Sequence, residues 1–137
     1  TAAAMFRYPD FFKVGIAESG NHDNRNYEDD WGERYNGLAE NVDYGKQANQ
    51  NYAKNLKGKL MLAHGMMDNN VPPSNTMLVV DALIKANKTF DLLLFPNSAH
   101  GFGQFSSYMM RRRWDYFVQH LLNTPPPYDY QIGAPRN

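Results

Sequence analysis

Apolar residues along this chain fall into short runs and helical stripes separated by polar loops, and their order predicts alternating strands and helices. Residues 2–8 are alanine-rich and favour helix, and Pro9 closes them, as expected for the last turns of a helix that begins upstream. Residues 13–17, KVGIA, predict a short buried strand. From 18 to 48 the composition turns polar, rich in Asn, Asp and Gly with Tyr27, Trp31, Tyr35 and Tyr44 interspersed. That mixture suits an irregular excursion with short helical turns. A short helix is expected over 49–56 and a strand over 59–64. Ser74 is placed to cap a helix over 75–88, where Met77, Val80, Leu83 and Ile84 recur at helical spacing. A strand over 89–95 follows. The closing helix, 105–122, carries Met110, Trp114, Phe117 and Leu121 on one face, a stripe expected to be core. Thr124 and the prolines at 125–127 end it, and the tail, with Tyr128, Tyr130 and Pro135, has no periodic pattern. The expected organisation is one unit over 1–123 and a tail over 124–137, without internal repeat. Strands alternating with helices at these lengths predict an α/β class of parallel β-α units, with chemistry on loops at the carboxyl ends of the strands.

Composition changes this picture little. A chain of 137 residues can bury a moderate core. Fourteen basic residues balance fourteen acidic ones, so no net field favours nucleic acid or an anionic membrane as a partner. The acidic cluster at 28–30 with Glu33 and the basic run at 111–113 are short enough to be solvated faces. No apolar stretch approaches a membrane span, and the start TAAAMFRYPDFF lacks the order of a secretory signal. The absence of cysteine removes disulfides and thiol catalysis without choosing a redox compartment.

Two loop motifs carry candidate chemistry. HGMMDNNV at 64–71 and NSAHGF at 97–102 each follow an apolar run. Asp68 lies on a loop bounded by Gly65 and Pro72, where a carboxylate could accept from an imidazole Nδ1 and fix its tautomer. It could equally build an Asx-type turn with Asn69 and Asn70. His100 precedes Gly101, which allows a sharp turn, although a lone loop histidine is more often a surface residue than a catalyst. Together they change the odds. Two successive strand-to-helix loops that deliver Asp and then His match the last two members of an α/β-hydrolase Ser…Asp…His triad. The serine is missing: none of Ser19, Ser74, Ser98, Ser106 and Ser107 has the two glycines of a G-x-S-x-G elbow. The expectation is the C-terminal portion of an α/β-hydrolase fold, parallel strands alternating with helices, cut after its nucleophile elbow. His64, beside Gly65, is expected to be structural. His22 and His120 have no partner at a recognisable spacing, and four scattered histidines do not suggest zinc; no metal and no cofactor is expected.

Four stretches in order, YPDFFKVGIA, YEDDWGERYNGL, LMLAHGMMDNNV and LLLFPNSAHGF with its closing helix, make residues 1–123 resemble the prolyl oligopeptidase family of serine peptidases. The likeness is to the C-terminal half of the catalytic domain in dipeptidyl peptidase IV-like members. The resemblance implies that Asp68 and His100 are the triad acid and base, and that Asn70 contacts the substrate backbone near its amino terminus. It also implies that Tyr27 and Trp31 wall a proline-accepting pocket, with Val71 adding an apolar contact. Asn24 stands where the family carries a pocket tryptophan, and Trp31 replaces a tyrosine, departures that bear on proline specificity. The nucleophile is implied about half a dozen residues before Thr1, on the elbow. A propeller domain of the same parent is implied further upstream, together with a peptide substrate and a periplasmic or secreted location. The expected activity is release of N-terminal dipeptides, with an acylaminoacyl peptidase or esterase of the same fold, or an inactive binding module, as alternatives. The chain alone is expected to be inactive and to self-associate.

Overall fold

Three of the apolar runs become strands: β1 (Val14–Glu18), β2 (Lys59–Gly65) and β3 (Asp91–Phe95). The computed structural model, which describes residues 1–133, pairs them in parallel in the order β1-β2-β3. Among the described residues four α-helices accompany them: α1 (Ala2–Arg7), α2 (Asp29–Asn36), α3 (Ser74–Lys85) and α4 (Ser106–Leu121). Central β2 is buried from Leu60 to Gly65, as a parallel strand covered on both faces must be. Its alternating side chains divide the interior in two. Leu60 and Leu62 pack with Ala2, Met5 and Phe6 of α1 and Val79 and Leu83 of α3. Met61 and Ala63 pack on the opposite face with Phe95, Phe102 and with Met109 and Tyr116 of α4. Helices on both faces of an open parallel sheet, with β2-α3-β3-α4 in sequence, form a partial α/β-hydrolase fold.

Several local expectations are corrected. The helix expected over 49–56 is a 3-10 helix, Asn49–Asn55, and the third strand starts at Asp91. Ser74 does not cap α3: Pro73 holds the cap position, and the Ser74 hydroxyl accepts from Asn26 Nδ2 at 2.8 Å. The helix stops at Lys85, with Asn87 in the left-handed region at φ 51°. Its buried positions include the polar Asn75 and Thr76 beside Val79 and Leu83, whereas Ile84 is exposed.

The largest correction concerns α4. The expected core stripe faces outward, with Met110, Trp114, Phe117 and Leu121 all exposed, Trp114 to 52 % and Leu121 to 57 %. The face one residue earlier, Met109 and Tyr116, turns inward. Polar bonds hold that orientation: Arg113 forks onto the Glu18 carboxylate at the end of β1, and the Tyr116 hydroxyl donates to Asp91 Oδ2 at 2.9 Å. The tail folds back along the same helix, where Arg111 donates to the Tyr130 carbonyl at 3.1 Å and the Tyr130 hydroxyl donates to Asp115 at 3.0 Å. Pro135 lies outside the described residues.

Candidate active site

The carboxyl ends of β2 and β3 are zipped together by backbone hydrogen bonds from Met66 N to Phe95 O and from Met67 N to Ser98 O, both 2.9 Å. Only glycine allows this approach at position 65, because a Cβ there would fall onto the carbonyl oxygens of Ser98 and Ala99. The loop after β3 is pinned in turn by Phe102, buried at φ 66° with its ring 4.6 Å from that of Phe95. These two anchors bring Asp68 and His100, 32 residues apart, to a hydrogen bond of 2.8 Å between Nδ1 and Oδ2.

Asp68 is buried, and its two oxygens do different work. Oδ1 accepts the backbone N–H groups of Asn70 at 3.0 Å and Val71 at 2.9 Å, an Asx-type turn. Oδ2 takes His100. The turn-forming and imidazole-orienting geometries therefore coexist on one carboxylate. Burial alone would raise the Asp68 pKa, but the hydrogen bonds from Val71, His100 and Asn70 outweigh it and hold the carboxyl below its usual range. Because the carboxylate only accepts, His100 Nδ1 carries the hydrogen. Its Nε2 has no hydrogen-bond partner among the described residues, and the side chain is 45 % exposed at the sheet's carboxyl edge.

Beside this pair lies a shallow pocket of about 330 Å³ lined by Asn26, Tyr27, Glu28, Asn69, Asn70 and Pro72. The Tyr27 hydroxyl donates to Asn70 Oδ1 at 2.9 Å, joining the polar excursion to the Asp68 loop. Trp31 packs edge-on against Tyr27, with centroids 5.8 Å apart, and is itself half exposed. Val71 is buried, with its backbone committed to Asp68 and His64, and its side chain is not among those lining the pocket. Asn24 bonds to Asn21 and Gln47, away from that lining.

Sequence reasoning missed the residues that hold the excursion in place. Asn75, fully buried on α3, accepts from Asp23 N at 3.1 Å and donates to Asn26 O at 3.0 Å. His22 does have a partner, Asn49 Nδ2 at 2.9 Å, and burial is the main cause that lowers its pKa to about 4. These partners lie 27 to 52 residues apart with no motif to announce them. Among the described residues, no three His, Asp or Glu side chains gather as metal ligands, and no helix is long and apolar enough to cross a membrane.

Residues 1–124 match the model of the prolyl oligopeptidase family. A dipeptidyl peptidase family member 1 from Caenorhabditis elegans is 28 % identical over 110 residues, which are 80 % of this chain and 14 % of that protein. A Bacteroides ovatus structure of the dipeptidyl aminopeptidase IV type superposes with a TM-score of 0.83 at 32 % identity, over 88 % of this chain and 17 % of the other. The crystal structure of Porphyromonas gingivalis dipeptidyl peptidase 4 gives 0.76 at 30 % identity, over 83 % and 17 %. The chain thus spans less than a fifth of each of these relatives, and over that span it belongs to the prolyl oligopeptidase family.

Proposed function

We propose that this chain supplies the acid and base of a serine peptidase that releases dipeptides from peptide amino termini by acyl transfer. The observation that carries the reading is the 2.8 Å bond from His100 Nδ1 to an ionised, doubly anchored Asp68, which leaves Nε2 open. A serine on a G-x-S-x-G elbow, in a part of the parent outside these 137 residues, attacks the peptide carbonyl while His100 Nε2 takes its proton. Asp68 stabilises the imidazolium that forms. His100 then returns the proton to the leaving amine, and water resolves the acyl-enzyme by the same route. Tyr27, with Trp31 packed edge-on against it, walls the pocket for the residue before the scissile bond, and Asn70 meets the substrate backbone. A propeller domain of the same parent restricts access to peptides, in the periplasm or outside the cell. The dipeptidyl names of the similar proteins support this substrate class.

In the full-length parent, His100→Ala should lower kcat by about 10⁶-fold and Asp68→Ala by about 10⁴-fold with KM little changed, because both residues act in the transition state. The 137-residue chain alone should not turn over X-Pro or X-Ala dipeptide amides. Near-normal kcat in the Asp68 variant would reduce that residue to a turn former, and His100-dependent turnover by the chain alone would refute the need for an external serine.

A further inference from the structure

Behind Asp68 lies a second histidine that the proposed chemistry does not use. His64 is fully buried at the end of β2, and both ring nitrogens are engaged. Nε2 is 3.0 Å from the Val71 carbonyl and 3.4 Å from Asp68 Oδ2; Nδ1 is 2.7 Å from the Thr76 hydroxyl on α3. A carbonyl and a carboxylate only accept, so Nε2 carries a hydrogen; in the neutral ring Nδ1 then accepts from Thr76. The orientation of the ring follows from these two partners, one on the acid's own loop and one on the helix behind it.

We infer that His64, held by Thr76, is a positioning residue for the acid: its Nε2–H ties down the Val71 carbonyl and faces the same Asp68 oxygen that receives His100. Three N–H groups then bond the carboxylate, two from the backbone on Oδ1 and one from His100 on Oδ2, while His64 Nε2, whose hydrogen goes to the Val71 carbonyl, stands 3.4 Å from Oδ2. Val71 is bonded on both sides, its N–H to Asp68 and its carbonyl to His64, so the Asx-type turn cannot rotate without breaking a buried hydrogen bond. Asp68 could form its turn without His64. What His64 adds is a fixed direction for Oδ2, and hence for the His100 ring whose Nε2 must meet a serine. Orientation errors of this kind act on the chemical step more than on substrate binding.

This inference rests on the peptidase reading only for its kinetic consequence, and two measurements separate them. In the full-length parent, His64→Met removes the donor while keeping bulk, whereas His64→Gln offers an amide N–H near the Nε2 position. Thr76→Val removes only the hydroxyl that orients the ring. The expected result is a kcat about tenfold lower in His64→Met at nearly unchanged KM, substantial recovery in His64→Gln, and a smaller loss in Thr76→Val. Independently of activity, the downfield proton resonance of the His100 Nδ1–H in hydrogen bond to Asp68 should broaden or vanish in His64→Met and persist in His64→Gln. Equal losses in the Met and Gln variants, or losses in KM alone, would make His64 merely structural and overturn the inference. If the wild-type parent shows no peptidase activity, the peptidase reading falls, and the resonance decides His64 by itself: an unchanged signal in folded Thr76→Val and His64→Met overturns the positioning role.

Discussion

Two buried side chains show how single residues tie this structure to pH. His22 accepts from Asn49 at Nδ1, and burial, aided by the charges of His64 and the amino terminus, lowers its pKa from 6.5 to about 4. Its folded state therefore resists protonation that the unfolded chain accepts, so stability rises with pH between about 4 and 6.5 and is lost as pH falls through that window. At ~1.4 kcal/mol for each pH unit the full effect is on the order of 3 kcal/mol. Asp68 acts lower on the scale. Its depressed pKa contributes stability that is present above the unfolded value of 3.8 and disappears as pH falls below it. Urea unfolding at a series of pH values should show both stages, and His22→Gln should remove most of the slope between 6.5 and 4. An unchanged slope in that variant would place the acid sensitivity elsewhere.

At the scale of elements, the site depends on how closely the loop after β3 lies on the end of β2. Gly65 sets that distance, since the carbonyl oxygens of Ser98 and Ala99 occupy the space of a side chain. Gly65→Ala must push the two loops apart or distort them, at a cost of about 2 kcal/mol. A lowered urea midpoint with an unchanged m-value is expected, and an unchanged midpoint would show that the loops separate without cost. Helix α4 illustrates a different control. Its apolar stripe of Met110, Trp114, Phe117 and Leu121 stays outside, while Met109 and Tyr116 pack with Met61, Ala63 and Phe95, and Arg113 and Tyr116 tie the same face to Glu18 and Asp91. The helix thus satisfies the polar groups at both ends of the sheet and leaves its apolar stripe outside.

For the whole molecule, three unsatisfied surfaces remain among the described residues. The exposed stripe on α4 is one. The others are the two edges of the sheet: β1, which presents Val14 and Ile16 with only Gly15 between them, and β3, which exposes Leu92 and Leu94. Unpaired edges without a charged gatekeeper are templates for association, and an apolar stripe adds to the driving force. The 137-residue chain in isolation is expected to self-associate, with an apparent mass in light scattering that grows with concentration. A monodisperse monomer at high concentration would show that these surfaces are protected.

The sequence by itself determined the order of strands and helices and the loops that carry Asp68 and His100, because these depend on local signals: the apolar run of β2, the glycines at 65 and 101, and Pro72. It also carried the family likeness in short contiguous motifs. Which face of α4 is buried, how Asn75 and His22 hold the excursion, and how His64 and Thr76 stand behind Asp68 were decided only in the tertiary structure. A helical stripe records how apolar a face is, but not which carboxylates and carbonyls it must face. Those polar groups meet across tens of residues, and the cost of leaving them unpaired exists only once the chain has closed around them.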